Sequence, residues 1–172
     1  LAYRNGDEMR DNLRAACEVT HTHPAAYGAT ISFALFLRAV MHRHPDPFRV
    51  AEEIAGEYDI QLEDSIKNAL DMEKEGISLD SALISVGNDI SVYHTYPLAL
   101  FLVARFGLDE TLLSVAAHVG GNTDTIGFIC GSWIGAAEGT GAFSGDLVMQ
   151  LEDHTRIQEI AEQLFDVISG KD

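Results

Sequence analysis

The stretch that decides how this chain is organised is Gly120-Gly121-Asn122-Thr123-Asp124-Thr125, which leads into a run of mostly small and apolar residues at 126–139. Paired glycines permit backbone angles that are closed to other residues and let neighbouring groups approach closely. The four side chains after them carry hard oxygen atoms, the ligands that Mg²⁺, Mn²⁺ and Ca²⁺ select. Asn, Thr and Asp are also the preferred residues at a helix N-cap. Taken alone, the stretch predicts a helix cap, with a cation site as the alternative.

The segment after this loop predicts a helix that packs closely against its neighbours. Gly127, Gly131 and Gly135 recur every four residues and therefore share one face, where missing side chains let two helices approach. We expect such a helix to bring its N-terminus, and with it Asp124, into the interior. Burying an unpartnered carboxylate is costly, so a cation or a hydrogen-bond network should accompany it. One carboxylate makes a weak divalent site, so further acidic ligands have to come from elsewhere.

Length and composition predict one globular domain over residues 1–172. Hydrophobic residues make up 47% of the 172 positions and aromatic residues 8%, enough for a substantial core. The formal charge is −16, from 27 acidic and 11 basic residues. That charge argues against nucleic-acid and anionic-membrane partners. An anionic ligand needs local help, from helix N-termini, a metal ion or a few basic groups.

The cysteines and the N-terminal residues predict a cytoplasmic location. Cys17 and Cys130 are too few for a disulfide framework, and each lies in an apolar helical pattern, which favours free buried thiols. The first residues contain no apolar stretch of signal-peptide length. The low-charge run at 119–137 is interrupted by glycines and polar residues, so a membrane span is not expected there.

The hydrophobic periodicity predicts an all-α fold of eight or nine helices joined by short loops. Residues 25–41 are apolar on nearly every face, which places this helix at the centre of the fold. Pro97 stands at the head of an apolar helix predicted over 98–106. A glycine-rich turn is expected at 139–145, and an amphipathic segment after it closes the chain.

Two further segments carry side chains that are candidates for ligand binding or proton transfer. In Thr20-His21-Thr22-His23, just before Pro24, the histidines are candidates for metal ligands, a proton shuttle or a pH-sensitive pair, and equally for backbone capping at the next helix. The loop at 88–97 holds Tyr and His side chains that can stack on a sugar or base, although Tyr96 can equally pack against the following helix.

Three motifs in order resemble the ADP-ribosylglycohydrolase family, which includes the dinitrogenase-reductase-activating glycohydrolase. They are the glycine loop with its small-residue helix, the Thr-His segment before Pro24, and the Pro-Ala-Leu-like segment at 95–100. The resemblance covers nearly the whole chain. It implies a compact multihelical orthogonal bundle that holds two divalent cations, Mg²⁺ or Mn²⁺. Such enzymes hydrolyse the N- or O-glycosidic bond between ADP-ribose and a protein side chain or small acceptor.

The resemblance also implies roles for particular residues. Asn122, Asp124 and Thr125 align with the family's metal ligands, Asp124 being the anchor and the residue on which catalysis depends. His21, Gly120 and Gly121 are then expected at the substrate, an ADP-ribosylated protein or an ADP-ribose derivative. In the family the metals orient the ribose hydroxyls and position the attacking water.

This chain departs from the family pattern in two ways. Asn122 stands where an aspartate is expected, which removes one negative charge from the cation site. Family members also begin with a further half that carries an acidic Thr-Asp-Asp-like motif, and nothing before Asp7 resembles it. We therefore expect this chain to be the C-terminal portion of the domain, with the missing N-terminal half as partner and source of the general base. Both departures favour the alternative function, a non-catalytic ADP-ribose-binding or interaction module.

Overall fold

The structure, a computed structural model, describes residues 6–170, and they form ten α-helices and no strand. The helices are α1 (Gly6–Glu18), α2 (Pro24–Met41), α3 (Pro47–Gly56), α4 (Ile60–Lys74), α5 (Leu79–Val86), α6 (Val92–Phe106), α7 (Glu110–His118), α8 (Thr123–Glu138), α9 (Gly145–Gln150) and α10 (His154–Ser169). The predicted all-α class is confirmed. A 3₁₀ turn at Gly139–Ala142 precedes α9.

The core lies where α2, α4, α6 and α8 meet, since α6 packs on α4 and α8 while α2 packs on α3 and α8. Trp133 of α8 is fully buried, and its ring lies 4.4 Å from that of Phe36 and 5.7 Å from that of Phe33, measured between centroids. Aromatic rings at such separations bury a large apolar area and favour tilted packing. Every residue from Thr95 to Val103 of α6 is buried. The apolar sequence of α6 thus follows from its position between α4 and α8.

Short polar side chains begin several of these helices. The carboxylates of Asp46, Asp59 and Asp109 accept hydrogen bonds from backbone N–H groups at the starts of α3, α4 and α7, and the Ser78 hydroxyl does so at α5. Each bond satisfies one of the N–H groups that a helix end leaves unpaired. Each of these four helices therefore begins at a side chain that caps its backbone.

Two expectations about the helices were wrong in detail. Pro97 lies inside α6 instead of heading it, because α6 begins at Val92. Proline lacks an N–H, so the bond that would run to the carbonyl four residues earlier is absent there. Ten helices also replace the eight or nine expected, whereas the glycine-rich turn expected at 139–145 is confirmed as the 3₁₀ turn that leads into α9. The long central helix over 25–41 is confirmed as α2.

Among residues 6–170, one helix, α2, is long and apolar enough by length and composition to cross a membrane. Its residues Ala25, Ile31 and Phe36 are nevertheless fully buried against other helices of the core. A central core helix passes the same length and composition test, so α2 is weak support for a membrane span.

Candidate functional site

Four helices begin at the same end of the fold, and side-chain contacts join their first residues. The ring of His23, the N-cap of α2, lies edge-on to the ring of Tyr93 in the first turn of α6, with centroids 6.5 Å apart. The Tyr93 hydroxyl donates to Asp59, the N-cap of α4, at 3.2 Å. The amide of Asn122, the N-cap of α8, donates to the Thr95 hydroxyl of α6 at 3.0 Å. The Thr-His segment, the loop before α6 and the glycine loop are therefore brought together around the start of α6.

The glycine pair bends the chain sharply into α8 and lets the loop before α6 approach its backbone. Gly120 and Gly121 have φ angles of 72° and 66°, in the left-handed region that disfavours L side chains. A Cβ at Gly121 would overlap the carbonyl oxygen of Asn88. That oxygen accepts a hydrogen bond from the Asn122 N–H at 2.8 Å, and the Asn88 amide donates to the Val119 carbonyl at 2.8 Å. Both glycines are exposed and serve the path of the backbone.

Asn122 holds the N-cap position of α8, as the cap hypothesis predicts, but its side chain makes no capping bond to the backbone. Its amide nitrogen donates to Thr95, and its amide oxygen accepts from the Thr125 hydroxyl at 3.1 Å. Thr95 is 4% exposed, and its hydroxyl donates its own proton to the Asp89 carbonyl at 2.7 Å. Thr95 therefore needs a donor at residue 122, which an amide supplies and a carboxylate does not.

The expectation that Asp124 lies inside the fold is wrong. Asp124 and Thr125 are both exposed, because they occupy the solvent-facing side of the first turn of α8. The Asp124 carboxylate accepts a hydrogen bond from the Thr125 N–H at 2.8 Å. The glycine face of α8 also packs less closely at its first glycine than expected, since a Cβ at Gly127 would meet nothing within 4 Å. With its carboxylate in water, Asp124 needs no buried partner.

The two histidines of the Thr-His segment have different surroundings. His21 is exposed, and its Nδ1 lies 2.8 Å from the Thr20 hydroxyl. His23 accepts a hydrogen bond from the Ala25 N–H at 3.2 Å, so it caps α2 as one of the open interpretations predicted. His23 is the one that contacts Tyr93, while His21 remains free to contact a solute. The predicted substrate role of His21 stays a prediction.

A second hydrogen-bonded group fixes the loop before α6. The Asp89 carboxylate accepts from the Ser91 N–H and lies 2.8 Å from Nδ1 of His94. These two interactions hold the pKa of Asp89 below its ordinary value, with the backbone bond as the larger cause. The His94 ring occupies the space beside Gly87, where a Cβ would meet it at 2.8 Å. The loop that supplies Thr95 is thereby held in one conformation.

The oxygen atoms at the start of α8 fit a hard divalent cation in kind but are too few to hold one. Within residues 6–170, no group of three or more His, Cys, Asp or Glu side chains is placed to bind a metal ion. Asn122 Oδ1 and Thr125 Oγ1 lie 3.1 Å apart and are neutral, which leaves the Asp124 carboxylate as the charged donor among the three. Mg²⁺ and Ca²⁺ take six or more oxygen ligands. These three residues are therefore too few to hold such a cation by themselves.

Sequence reasoning singled out the loop at 88–97 but missed the contacts that hold this end of the fold together. Asn88, Asp59 and Tyr93 connect segments far apart in the chain, and no local pattern marks such pairs. One signal was present: Gly87-Asn88 is a turn sequence of the same type as Gly121-Asn122. Two such turns in one chain are consistent with two loops that meet.

The described residues thus form an all-α domain in which the starts of α2, α4, α6 and α8 meet beside an oxygen-rich glycine loop. The comparisons with known proteins name the family. The profile of the ADP-ribosylglycohydrolase family matches residues 1–172, and this chain belongs to that family.

The similar curated proteins are distant. An uncharacterised protein of Archaeoglobus fulgidus is 27% identical over 155 residues, which cover 88% of this chain and 49% of the relative. ADP-ribosylhydrolase ARH3 of Bos taurus is 20% identical over 199 residues, covering 97% of this chain and 54% of that protein. The Danio rerio protein of the same name is 26% identical over 107 residues, 56% of this chain and 29% of that protein. The chain thus spans about half the length, or less, of the curated relatives it matches. No solved structure matches it.

Proposed function

We propose that this protein is a metal-dependent hydrolase that removes ADP-ribose from a modified protein side chain or small acceptor by cleaving an N- or O-glycosidic bond. The observation that carries the proposal is the meeting of the three family motifs around the start of α6, through the contact of His23 with Tyr93 and the bond of Asn122 to Thr95. Relatives named ADP-ribosylhydrolase support the same class of activity.

The gathered helix N-termini suit the pyrophosphate of ADP-ribose. Each helix N-terminus carries about half a positive charge and unpaired N–H groups, which favour anions. The chain as a whole has a formal charge of −16 and would otherwise repel such a ligand. The starts of α2, α6 and α8 supply the local positive potential, and His21 lies on the loop immediately before α2. We place Gly120, Gly121 and His21 at the edge of the bound ADP-ribose.

Asp124, Thr125 and Asn122 would hold one side of a Mg²⁺ or Mn²⁺ site, with Asp124 as the charged ligand on which catalysis depends. When bound, such a cation polarises oxygen atoms and lowers the pKa of a coordinated water. The exposure of Asp124 and Thr125 leaves their oxygen atoms open to a ligand from solution. The remaining carboxylates and the general base would come from residues corresponding to the other half of the relatives' length.

A non-catalytic ADP-ribose-binding or interaction module is the second candidate. The state of Asn122 favours it, because both ends of its amide are hydrogen-bonded within the protein. A neutral residue whose amide is already hydrogen-bonded contributes no negative charge to a cation site. The helix N-termini nevertheless remain able to bind phosphate. The two candidate functions differ in their need for a divalent cation: the hydrolase requires it, and the binding module does not.

Hydrolysis of ADP-ribosyl-arginine and ADP-ribosyl-serine tests the hydrolase. The full-length protein is assayed with and without Mn²⁺ beside Asp124→Ala and the matched control Asp146→Ala, which changes another exposed carboxylate in the first turn of a helix. We expect activity that needs Mn²⁺, is lost in Asp124→Ala and is kept in Asp146→Ala. Equal activity in both variants would remove Asp124 from the mechanism.

Calorimetry separates the second candidate. Heat on titration with ADP-ribose, with none from Mn²⁺ and no hydrolysis, supports the binding module. A ligand that binds the native state alone also raises the melting temperature. No heat and no thermal shift with either ligand would exclude both functions.

A further inference from the structure

A groove opens between helices α3 and α4, away from the candidate site. It has a volume of about 460 Å³, within the range of about 300–1,000 Å³ that is typical of binding pockets. We call it the α3–α4 groove and define it by its apolar lining, Phe48, Leu70 and Ala104, and by two of its carboxylates, Glu52 and Glu73. Helix α6 contributes Ala104, so three helices build the groove.

The apolar lining of the α3–α4 groove is an edge of the core. Leu70 is buried, while Phe48 and Ala104 are half-buried and pack against the core. The ring of Phe48 lies edge-on to the buried ring of Phe36, with centroids 5.3 Å apart, and this contact fixes its position. An apolar side chain from a partner would therefore meet a preformed surface in the groove.

The two basic side chains that line the groove already have acidic partners. Nε of Arg49 lies 2.7 Å from the Glu53 carboxylate, and Nζ of Lys74 lies 2.9 Å from the Asp71 carboxylate. The hydrogen bond to Asp71 is the main reason that the pKa of Lys74 is raised, and the charge of Glu52 raises it further. The field of α3 thus reaches across the groove to the end of α4.

The carboxylates of Glu52 and Glu73 are, by contrast, uncompensated. Both side chains are half-buried, and neither carboxylate accepts a hydrogen bond or forms a close ion pair with another described residue. A guanidinium or ammonium group from a partner would supply the missing donors, in charge-assisted hydrogen bonds.

The carboxylates of the groove are spread along it. Within residues 6–170 no group of three or more acidic, His or Cys side chains is placed to hold one metal ion. A ligand that satisfies these carboxylates together therefore carries several separate positive groups. Such a ligand also needs an apolar part, because the lining between the carboxylates is apolar.

We propose that the α3–α4 groove docks a short basic segment of a partner protein. An apolar side chain of this segment packs on Phe48 and Leu70, and Lys or Arg side chains on either side of it pair with Glu52 and Glu73. The charge of the chain complements such a partner, since its formal value is −16. The same charge repels nucleic acids and anionic membranes. A free polyamine would meet the carboxylates and leave the apolar lining without a side chain.

The groove and the candidate site lie at opposite ends of α4. Residues 70–74 in the groove form the last turn of this helix, whereas its N-cap Asp59 accepts a hydrogen bond from Tyr93 at the candidate site. A helix of 15 residues is about 22 Å long. A docked segment therefore leaves the candidate site open, and the proposal does not depend on hydrolase activity.

Fluorescence anisotropy with a labelled Gly-Arg-Leu-Leu-Arg-Gly peptide tests the proposal. Wild type is compared with the double variant Glu52→Gln, Glu73→Gln and with the matched control Glu159→Gln, Glu162→Gln, which removes two exposed carboxylates of α10. Both double variants have the same net charge. We expect the groove variant to bind the peptide about 10-fold more weakly than wild type, and the control to bind like wild type.

Two changes of ligand test the apolar contact and the class of partner without altering the protein. Replacing both leucines of the peptide by serine should weaken binding to wild type about 10-fold. Unlabelled peptide should displace the label at a lower concentration than spermidine does. Absence of peptide binding, equal weakening in the two double variants, or equal displacement by spermidine would each overturn the docking of a basic segment in this groove.

Discussion

Replacement of Asn122 by Asp tests two roles of this side chain separately: its hydrogen bond to Thr95 and its place among the proposed cation ligands. The variant has nearly the same shape as the wild-type side chain and supplies the carboxylate that the family pattern expects. It also removes the amide N–H that reaches the buried Thr95 hydroxyl at 3.0 Å. We expect Asn122→Asp to be less stable than wild type without metal and to bind Mn²⁺ more tightly.

The hydrogen bonds give the loss of stability. Thr95 is 4% exposed and already donates to the Asp89 carbonyl, so it has no second proton for a carboxylate at 122. One lost hydrogen bond that leaves a buried group unsatisfied costs about 1–3 kcal/mol. In a protein of this size each kcal/mol lowers the melting temperature by roughly 2–4 °C, so we expect a fall of roughly 2–12 °C.

Coulomb's law gives the gain in metal affinity. Two unit charges 4 Å apart attract by about 1 kcal/mol in water, and a divalent cation doubles this to about 2 kcal/mol. An affinity for Mn²⁺ about 30-fold higher follows. Thermal melts with and without MnCl₂, together with calorimetric titration, measure both effects.

The control is Thr95→Val, which removes the same hydrogen bond from the other side together with the bond from Thr95 to the Asp89 carbonyl. It should lower the melting temperature by at least as much and leave the Mn²⁺ affinity unchanged. An Asn122→Asp variant that is as stable as the wild type without metal would refute the claim that the Asn122 amide stabilises the fold through Thr95. Unchanged Mn²⁺ affinity would refute residue 122 as a cation ligand.

Three further perturbations test other parts of the structure. Gly121→Ala should cost about 3 kcal/mol or more in the free energy of unfolding, since its Cβ overlaps a carbonyl oxygen, whereas Gly120→Ala should cost about 1–2 kcal/mol for its φ angle alone; equal losses in urea melts would contradict this. Ser32→Ala removes the buried partner 2.7 Å from the Tyr96 hydroxyl and should cost about 1–3 kcal/mol. Adding Tyr96→Phe should restore part of that loss, and strict additivity in the double variant would argue against the pair. The lowered pKa of Asp89 means that its carboxylate stabilises the fold above the ordinary aspartate pKa of about 4 and ceases to do so as pH falls through the lower folded value. The melting temperature of Asp89→Asn should therefore fall below that of the wild type near neutral pH and approach it in acid. A difference that stays constant with pH would exclude the charge of Asp89 as the cause of the stabilisation.

Much of the architecture could be predicted from sequence, because helix formation and capping depend on nearby residues. The apolar pattern predicted α2 and the amphipathic closing helix α10, and the glycine loop predicted the start of α8. The three motifs predicted the family to which the chain belongs. The start of α6 could not be predicted in this way, since the sequence rule places proline near a helix start and the tertiary packing of α6 overrides it at Pro97.

In the candidate site, too, local properties could be predicted from sequence and properties set by tertiary packing could not. The residues 120–125 determine by themselves that a glycine bend leads into a helix with oxygen-bearing side chains at its start, since backbone freedom and capping are local properties. Tertiary structure alone decided the surroundings of those side chains: Asp124 faces solvent, and Asn122 is bonded to Thr95, which lies 27 residues earlier in the chain. The physical reason is that the exposure of a side chain and its distant partners depend on how helices pack. Helix periodicity sets which residues share a face and leaves open what that face will meet.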